Sequence, residues 1–206
     1  MCHTIYMNKA VFTILTVAVA LTAWLLWPTP APLPPTAGST VVVFGDSLAA
    51  GVGSSAGKDI TSRLATSIEP EVINLGVSGD TTSDGLARID TVIAADPKVV
   101  IILLGGNDAI QRVPVEDTFA NLEIIIQTIQ STGAAVVLVG EPGGLYSNQY
   151  EKEYERLART YRTYYVPNIL SGLIGRAEYM SDLIHPNDAG YKIAADRILL
   201  EVEAAL

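Results

Sequence analysis

Val99-Val100-Ile101-Ile102-Leu103-Leu104-Gly105-Gly106-Asn107-Asp108 is the stretch on which the fold turns. Six apolar residues with no polar one between them lack the alternation of a half-exposed strand, so the run reads as a strand buried on both faces. Such strands belong to parallel sheets, and the glycine pair ends this one on a turn. Working outward, apolar, β-rich runs stand at residues 41–44, 72–75 and 135–139, with a shorter one at 164–166, and of these 136–139 also lacks alternation. Between them, residues 60–68, 83–95, 115–132 and 150–161 show helix-like apolar spacing. Residues 186–206 read as a terminal helix with Pro186 in its first turn. Strands alternating with helices predict an α/β fold, a parallel sheet with helices on both faces. In such folds ligands collect at the carboxyl ends of the strands, so the residues after each run are where chemistry is sought.

The 206 residues suit one domain with a full core behind a distinct N-terminal region. Every acidic residue lies at or after Asp46, whereas Lys9 alone of the 13 basic residues precedes it. The folded part is therefore strongly acidic, which argues against a nucleic-acid partner and against adsorption to anionic headgroups. Cys2 is the only cysteine, which excludes an intramolecular disulfide and a cysteine metal cluster. With His3 at the other end of the chain, any histidine chemistry in the domain falls to His185.

Residues 10–27 carry no charge. As a helix they would span about 27 Å at ~1.5 Å per residue, enough to cross a bilayer. Trp24 and Trp27 suit an interfacial belt, and Lys9 would remain cytoplasmic by the positive-inside tendency. Residues 1–27 are therefore expected to be an N-terminal membrane anchor, or a signal segment if cleaved. The domain is then expected on the periplasmic or extracellular side. Pro28, Pro30, Pro32, Pro34 and Pro35 make residues 28–39 a proline-rich linker, and residues 40–206 form the domain.

Three segments follow the first three strands: Gly45-Asp46-Ser47, then Gly76-Val77-Ser78-Gly79-Asp80-Thr81-Thr82, then Gly105-Gly106-Asn107-Asp108. A hydroxyl at the head of a helix, a glycine N–H and a side-chain amide would together favour negative charge on a reacting oxygen. Asp182-Leu183-Ile184-His185 adds a carboxylate and an imidazole three residues apart, spacing that lets the acid orient the ring. Each signal alone has a bland reading. Gly-Asp-Ser is usually a turn, Asp182 suits a turn or a cap, and Asp46, Asp80, Asp84 and Asp108 read as caps rather than as a cation site.

In this order the blocks resemble the SGNH or GDSL serine hydrolases. Gly-Asp-Ser-Leu-Ala-Ala-Gly-Val-Gly (45–53), Ser-Gly-Asp-Thr-Thr (78–82), Gly-Leu-Ala-Arg-Ile (85–89) and His-Pro-Asn (185–187) look most like the branch of bacterial arylesterases, thioesterase I and lysophospholipase L1. The resemblance implies a three-layer α/β/α sandwich, flavodoxin-like, with a parallel sheet of about five strands. It implies Ser47 as nucleophile, His185 as general base and acid, and Asp182 as the partner of His185. It further implies an oxyanion hole from the Ser47 N–H, Gly79 and Asn107, with no cofactor and no metal. The expected substrates are small-molecule esters or lipids: aryl or short to medium acyl esters, thioesters or lysophospholipids. A deacetylase of cell-envelope polysaccharide or peptidoglycan is the alternative, and a catalytically silent tethered binding module a second. Two loops depart from the branch, residues 109–112 and the glycine-rich Gly140-Glu141-Pro142-Gly143-Gly144-Leu145-Tyr146, and both are expected to border the substrate pocket.

Overall fold

In the computed structural model, which describes residues 30–144 and 147–206, five parallel strands form one sheet in the order β2-β1-β3-β4-β5. They are β1 (Thr40–Gly45), β2 (Val72–Gly76), β3 (Pro97–Leu103), β4 (Ala135–Val139) and β5 (Tyr164–Val166). α1 (Ser47–Ala50) and α2 (Ile60–Ala65) follow β1, and α3 (Thr82–Ala87) and α4 (Ile89–Ile93) follow β2. α5 (Gly106–Gln111) and α6 (Val115–Ser131) follow β3, α7 (Ser147–Tyr161) follows β4, and α8 (Asp188–Ala205) follows β5.

Successive residues of an extended chain point to opposite faces, and the three central strands show it. Val41, Val43, Val99, Ile101, Leu103 and Val137 pack with α2 and α8 through Ile60, Leu64, Tyr191, Ala194, Ile198 and Val202. Val42, Phe44, Val100, Ile102 and Leu138 pack on the other face with Phe119, Leu122, Ile126 and Ile129 of α6 and with Tyr150, Tyr154 and Leu157 of α7. The three layers expected from the unbroken apolar runs are present. The sheet order places β1 and β3 side by side at the point where the chain turns outward in opposite directions, which opens a crevice at their carboxyl ends.

Three expectations shift. The predicted helix over 83–95 is broken at Arg88, whose φ of −118° and ψ of 20° leave the helical region. Its guanidinium is drawn inward, donating to Asp80 Oδ2 (2.6 Å), Leu75 O (2.8 Å) and Gly45 O (2.9 Å). Pro186 lies before the last helix, not in its first turn: the N-cap is Asn187, whose Oδ1 accepts from Ala189 N–H and Gly190 N–H. Pro186 instead bridges to Met180 and pins the loop that carries His185. Within 28–39, the later residues lie along the domain, with Leu33 N–H donating to Arg162 O and Thr36 N–H to Gly133 O, both at 2.8 Å. The expected anchor, residues 1–27, lies outside the described residues. Among those described, no helix is long and apolar enough to cross a membrane.

Candidate active site

β1 delivers Gly45 to the carboxyl edge of the sheet, and Asp46 begins α1 as its N-cap, its Oδ1 accepting Leu48 N–H at 2.9 Å. Ser47 is the first helical residue, so its N–H has no acceptor within the helix. The side chain is brought to bear on a loop from the far end of the sequence. Ser47 Oγ lies 2.9 Å from His185 Nε2, and His185 Nδ1 lies 2.7 Å from Asp182 Oδ2. The loop folds around the other oxygen of the same carboxylate, with Asp182 Oδ1 accepting from Ile184 N–H (2.8 Å) and His185 N–H (2.7 Å). Asp182 thus serves both as the polar turn that its spacing suggests and as the partner of the ring.

Those bonds, that from the imidazole first, hold the Asp182 carboxyl down to about 2 even though half of the side chain is exposed. An ionised Asp182 retains the ring proton on Nδ1, leaving the Nε2 lone pair to accept from the Ser47 hydroxyl.

Asn107, on α5, lines the same cavity as Ser47 and His185. Its amide donates to Asp46 Oδ2 (3.0 Å) and to Asp80 O (2.9 Å), so three strand ends are tied through one side chain. Gly79 adopts φ +91°, a left-handed conformation that favours glycine, and a Cβ there would meet nothing within 4 Å. Its N–H makes no hydrogen bond among the described residues. It is exposed and does not line the cavity. The structure therefore brings Ser47, His185, Asp182 and Asn107 together, with Gly79 one residue before the carbonyl that Asn107 holds.

The acids that could suggest a cation site are otherwise occupied. Asp84 closes a capping box with Thr81, Asp80 pairs with Arg88, and buried Asp108 accepts from Thr82 N–H (2.9 Å) and Thr82 Oγ–H (2.5 Å). Among the described residues no three metal-ligating side chains converge.

Sequence reading missed three supports. Arg88 clamps the ends of β1 and β2 and lies 4.4 Å from the centre of the Phe44 ring. Tyr154, fully buried on α7, donates to Leu104 O at 2.6 Å. Glu141, two residues beyond β4 and 4 % exposed, accepts Gly106 N–H at 2.7 Å through Oε2, while its buried Oε1 has no partner among the described residues. Burial, and then the neighbouring Asp46 charge, push the Glu141 carboxyl well above the usual range. Burial likewise pushes Asp46 up to about 7, opposed by the Leu48 N–H. No spacing rule announces any of these, since each acts across the sheet on a residue far away in sequence.

The cavity over Ser47 holds about 430 Å³. Leu48, Ala109, Pro142, Leu170, Ile174 and Ile184 give it a mostly apolar wall, and both departing loops border it as expected. Its mouth carries Ile110 and Leu183, exposed by 61 % and 89 %. An ester carbonyl seated against Ser47 would thus extend its chain over apolar surface.

The GDSL-like Lipase/Acylhydrolase family matches residues 43–193. The chain is 32 % identical over 177 residues to Esterase TesA of Pseudomonas aeruginosa, covering 80 % of this chain and 86 % of that protein. It is 31 % identical over 178 residues to an arylesterase of Vibrio mimicus, covering 81 % and 89 %. A crystal structure of TesA superposes with a TM-score of 0.76 at 30 % identity, covering 81 % of this chain and 99 % of that one.

Proposed function

The chain belongs to the GDSL-like lipase/acylhydrolase family, and from that premise we propose that it is a serine esterase that hydrolyses short to medium acyl esters, aryl esters included, through an acyl-serine intermediate. The observation that carries this reading is the unbroken relay from Asp182 through His185 to Ser47, at 2.7 and 2.9 Å, on the floor of an apolar cavity.

His185 Nε2 takes the Ser47 proton as Oγ bonds to the ester carbonyl carbon, and the carbonyl oxygen becomes an oxyanion. That oxyanion receives the Ser47 and Gly79 N–H groups and the Asn107 amide. Both hydrogens of the amide are engaged, by Asp46 Oδ2 and Asp80 O, so the amide gives up one of these bonds to the oxyanion as the charge develops. His185 then gives its proton to the leaving alkoxide or thiolate, the carbon–oxygen or carbon–sulfur bond breaks, and an alcohol or thiol departs. Water repeats the cycle: His185 accepts its proton, the hydroxide attacks the acyl carbon, and Ser47 regains a proton as the acid leaves. Throughout, Asp182 stabilises the imidazolium without being protonated.

The cavity sets a chain-length expectation. Each methylene buried on the apolar wall is worth about 0.8 kcal/mol, so kcat/KM on p-nitrophenyl esters of the full chain is expected to climb by up to ~4-fold per methylene until the cavity fills. Ile174→Asp, at the half-exposed rim, should raise KM for octanoyl esters by ~10-fold and leave acetyl esters nearly unchanged. A profile that peaks at acetate and falls with length, with acetylated glycans turned over faster, would replace this reading with deacetylation.

The same proposal takes residues 1–27 as a single-pass anchor with the domain outside. Its support is the uncharged run 10–27 after Lys9, flanked by Trp24 and Trp27. Full-length chain retained in membranes after a high-salt wash is the expected result. A soluble product beginning near residue 28 would mean a cleaved leader instead.

A further inference from the structure

α5, the helix that carries Asn107, has no side-chain cap of its own. Its N-cap is Gly105. No capping side chain fits there, because φ is +126° and a Cβ would lie 2.2 Å from the Tyr154 hydroxyl oxygen. The orphan N–H of the first turn is taken instead by a residue 35 positions away in sequence, Glu141, at 2.7 Å. A Cβ on Gly106 would lie 2.5 Å from Glu141 Oε2 and 3.8 Å from Asp46 Oδ2, so two carboxyls flank one glycine. The next residue places its amide on the second of them, at 3.0 Å. Consecutive groups of the turn, Gly106 N–H and the Asn107 amide, are therefore each held by a carboxyl from a neighbouring strand end.

A role in packing alone would not call for an acid at this place. A buried apolar residue would fill the same space without leaving a carboxyl oxygen that has no partner among the described residues. Resting on the assignment of Asn107 as an oxyanion donor, we infer that Glu141 is a positioning residue for the esterase reaction: it caps α5 from outside and so fixes the direction of the Asn107 amide. It acts through Gly106 and touches no reacting atom. Asp46, Asp108, Glu151, Tyr154 and Tyr165 surround it, and no basic side chain pairs with it among the described residues. Burial among these groups favours the neutral acid, whose carbonyl oxygen can accept the N–H without placing a negative charge beside the oxyanion.

A double-mutant cycle on the full chain tests this, with steady-state kinetics on p-nitrophenyl butyrate and circular dichroism on every variant. Asn107→Ala alone is expected to lower kcat by about 10²- to 10³-fold. Glu141→Leu alone should lower kcat by ~10-fold or more with KM within about twofold, since a misaimed donor affects the transition state and not substrate binding. Glu141→Gln, neutral and able to accept the same N–H, should stay within about threefold of wild type. In the Asn107→Ala background Glu141→Leu should then cost less than ~2-fold, there being no amide left to aim. Glu141→Ala serves the same cycle if the leucine variant does not fold. A full Glu141 effect in the absence of the Asn107 amide, or wild-type kcat in a folded Glu141→Leu, overturns the inference and leaves the esterase reading intact. An unchanged kcat in Asn107→Ala with Glu141 in place would overturn the oxyanion assignment itself.

Discussion

Ser47→Ala is expected to abolish nearly all turnover of p-nitrophenyl esters, a loss on the order of 10⁶-fold in kcat, the scale set by removing a nucleophile from a serine triad. Three observations argue for so large an effect. Ser47 Oγ is the hydroxyl that lies against His185 Nε2. The other hydroxyls nearby are engaged, Ser181 Oγ donating to His185 O and Thr82 Oγ to Asp108. Among the described residues that line the apolar cavity, Ser47 carries the only hydroxyl. Residual rate from the oxyanion donors and from binding should still exceed that in water by ~10³- to 10⁴-fold. The fold should be untouched, because the deletion removes one oxygen that faces the cavity and no core contact. Kinetics on purified variant, with labelling by a fluorophosphonate probe as a second readout, check both points. Activity within tenfold of wild type in the folded variant would end the nucleophile assignment.

His185→Ala should cost a similar factor, on the order of 10⁶ in kcat, because no second imidazole exists in the domain to replace it. Asp182 is no substitute base. Held down to about 2, its carboxylate is too weak to accept a serine proton, and it reaches Ser47 only through the ring. Because Ser47 and His185 act as one unit, the double variant should be no slower than either single one; losses that multiply would show independent roles. The pH profile carries the sign. The ring must be neutral to accept the proton, so wild-type kcat/KM is expected to rise with pH. Asp182, held down to about 2, stays ionised throughout and adds no limb of its own. The residual rate of the His185→Ala variant should lose this dependence; a limb that persists near 7 would belong to Asp46, which burial pushes up to about 7 beside the Asn107 amide.

Much of this was legible before any fold was drawn. The unbroken runs 99–104 and 136–139 require burial on both faces, and the structure gives them inner positions in the sheet. Ser47, Asn107 and His185 stand in blocks whose order carries the resemblance to the family, which the match over residues 43–193 bears out. Where reading along the chain failed, a long-range contact had overruled a local rule. The apolar spacing over 83–95 predicts one helix, yet Arg88 leaves the helical region because three acceptors at the strand ends hold its guanidinium. Proline suits the first turn of α8, yet Asn187 caps that helix while Pro186 pins the loop that carries His185.

By itself, then, the sequence determined the layers, the strand positions and the residue types of the relay, because periodicity and turn chemistry are properties of neighbours along the chain. Only the tertiary structure decided which groups meet. A separation of 138 residues between Ser47 and His185 closes to 2.9 Å, and Glu141 reaches across from β4 to cap the helix of Asn107. Those contacts depend on sheet order and loop path, which hydrophobic burial selects for the molecule as a whole and no local pattern encodes.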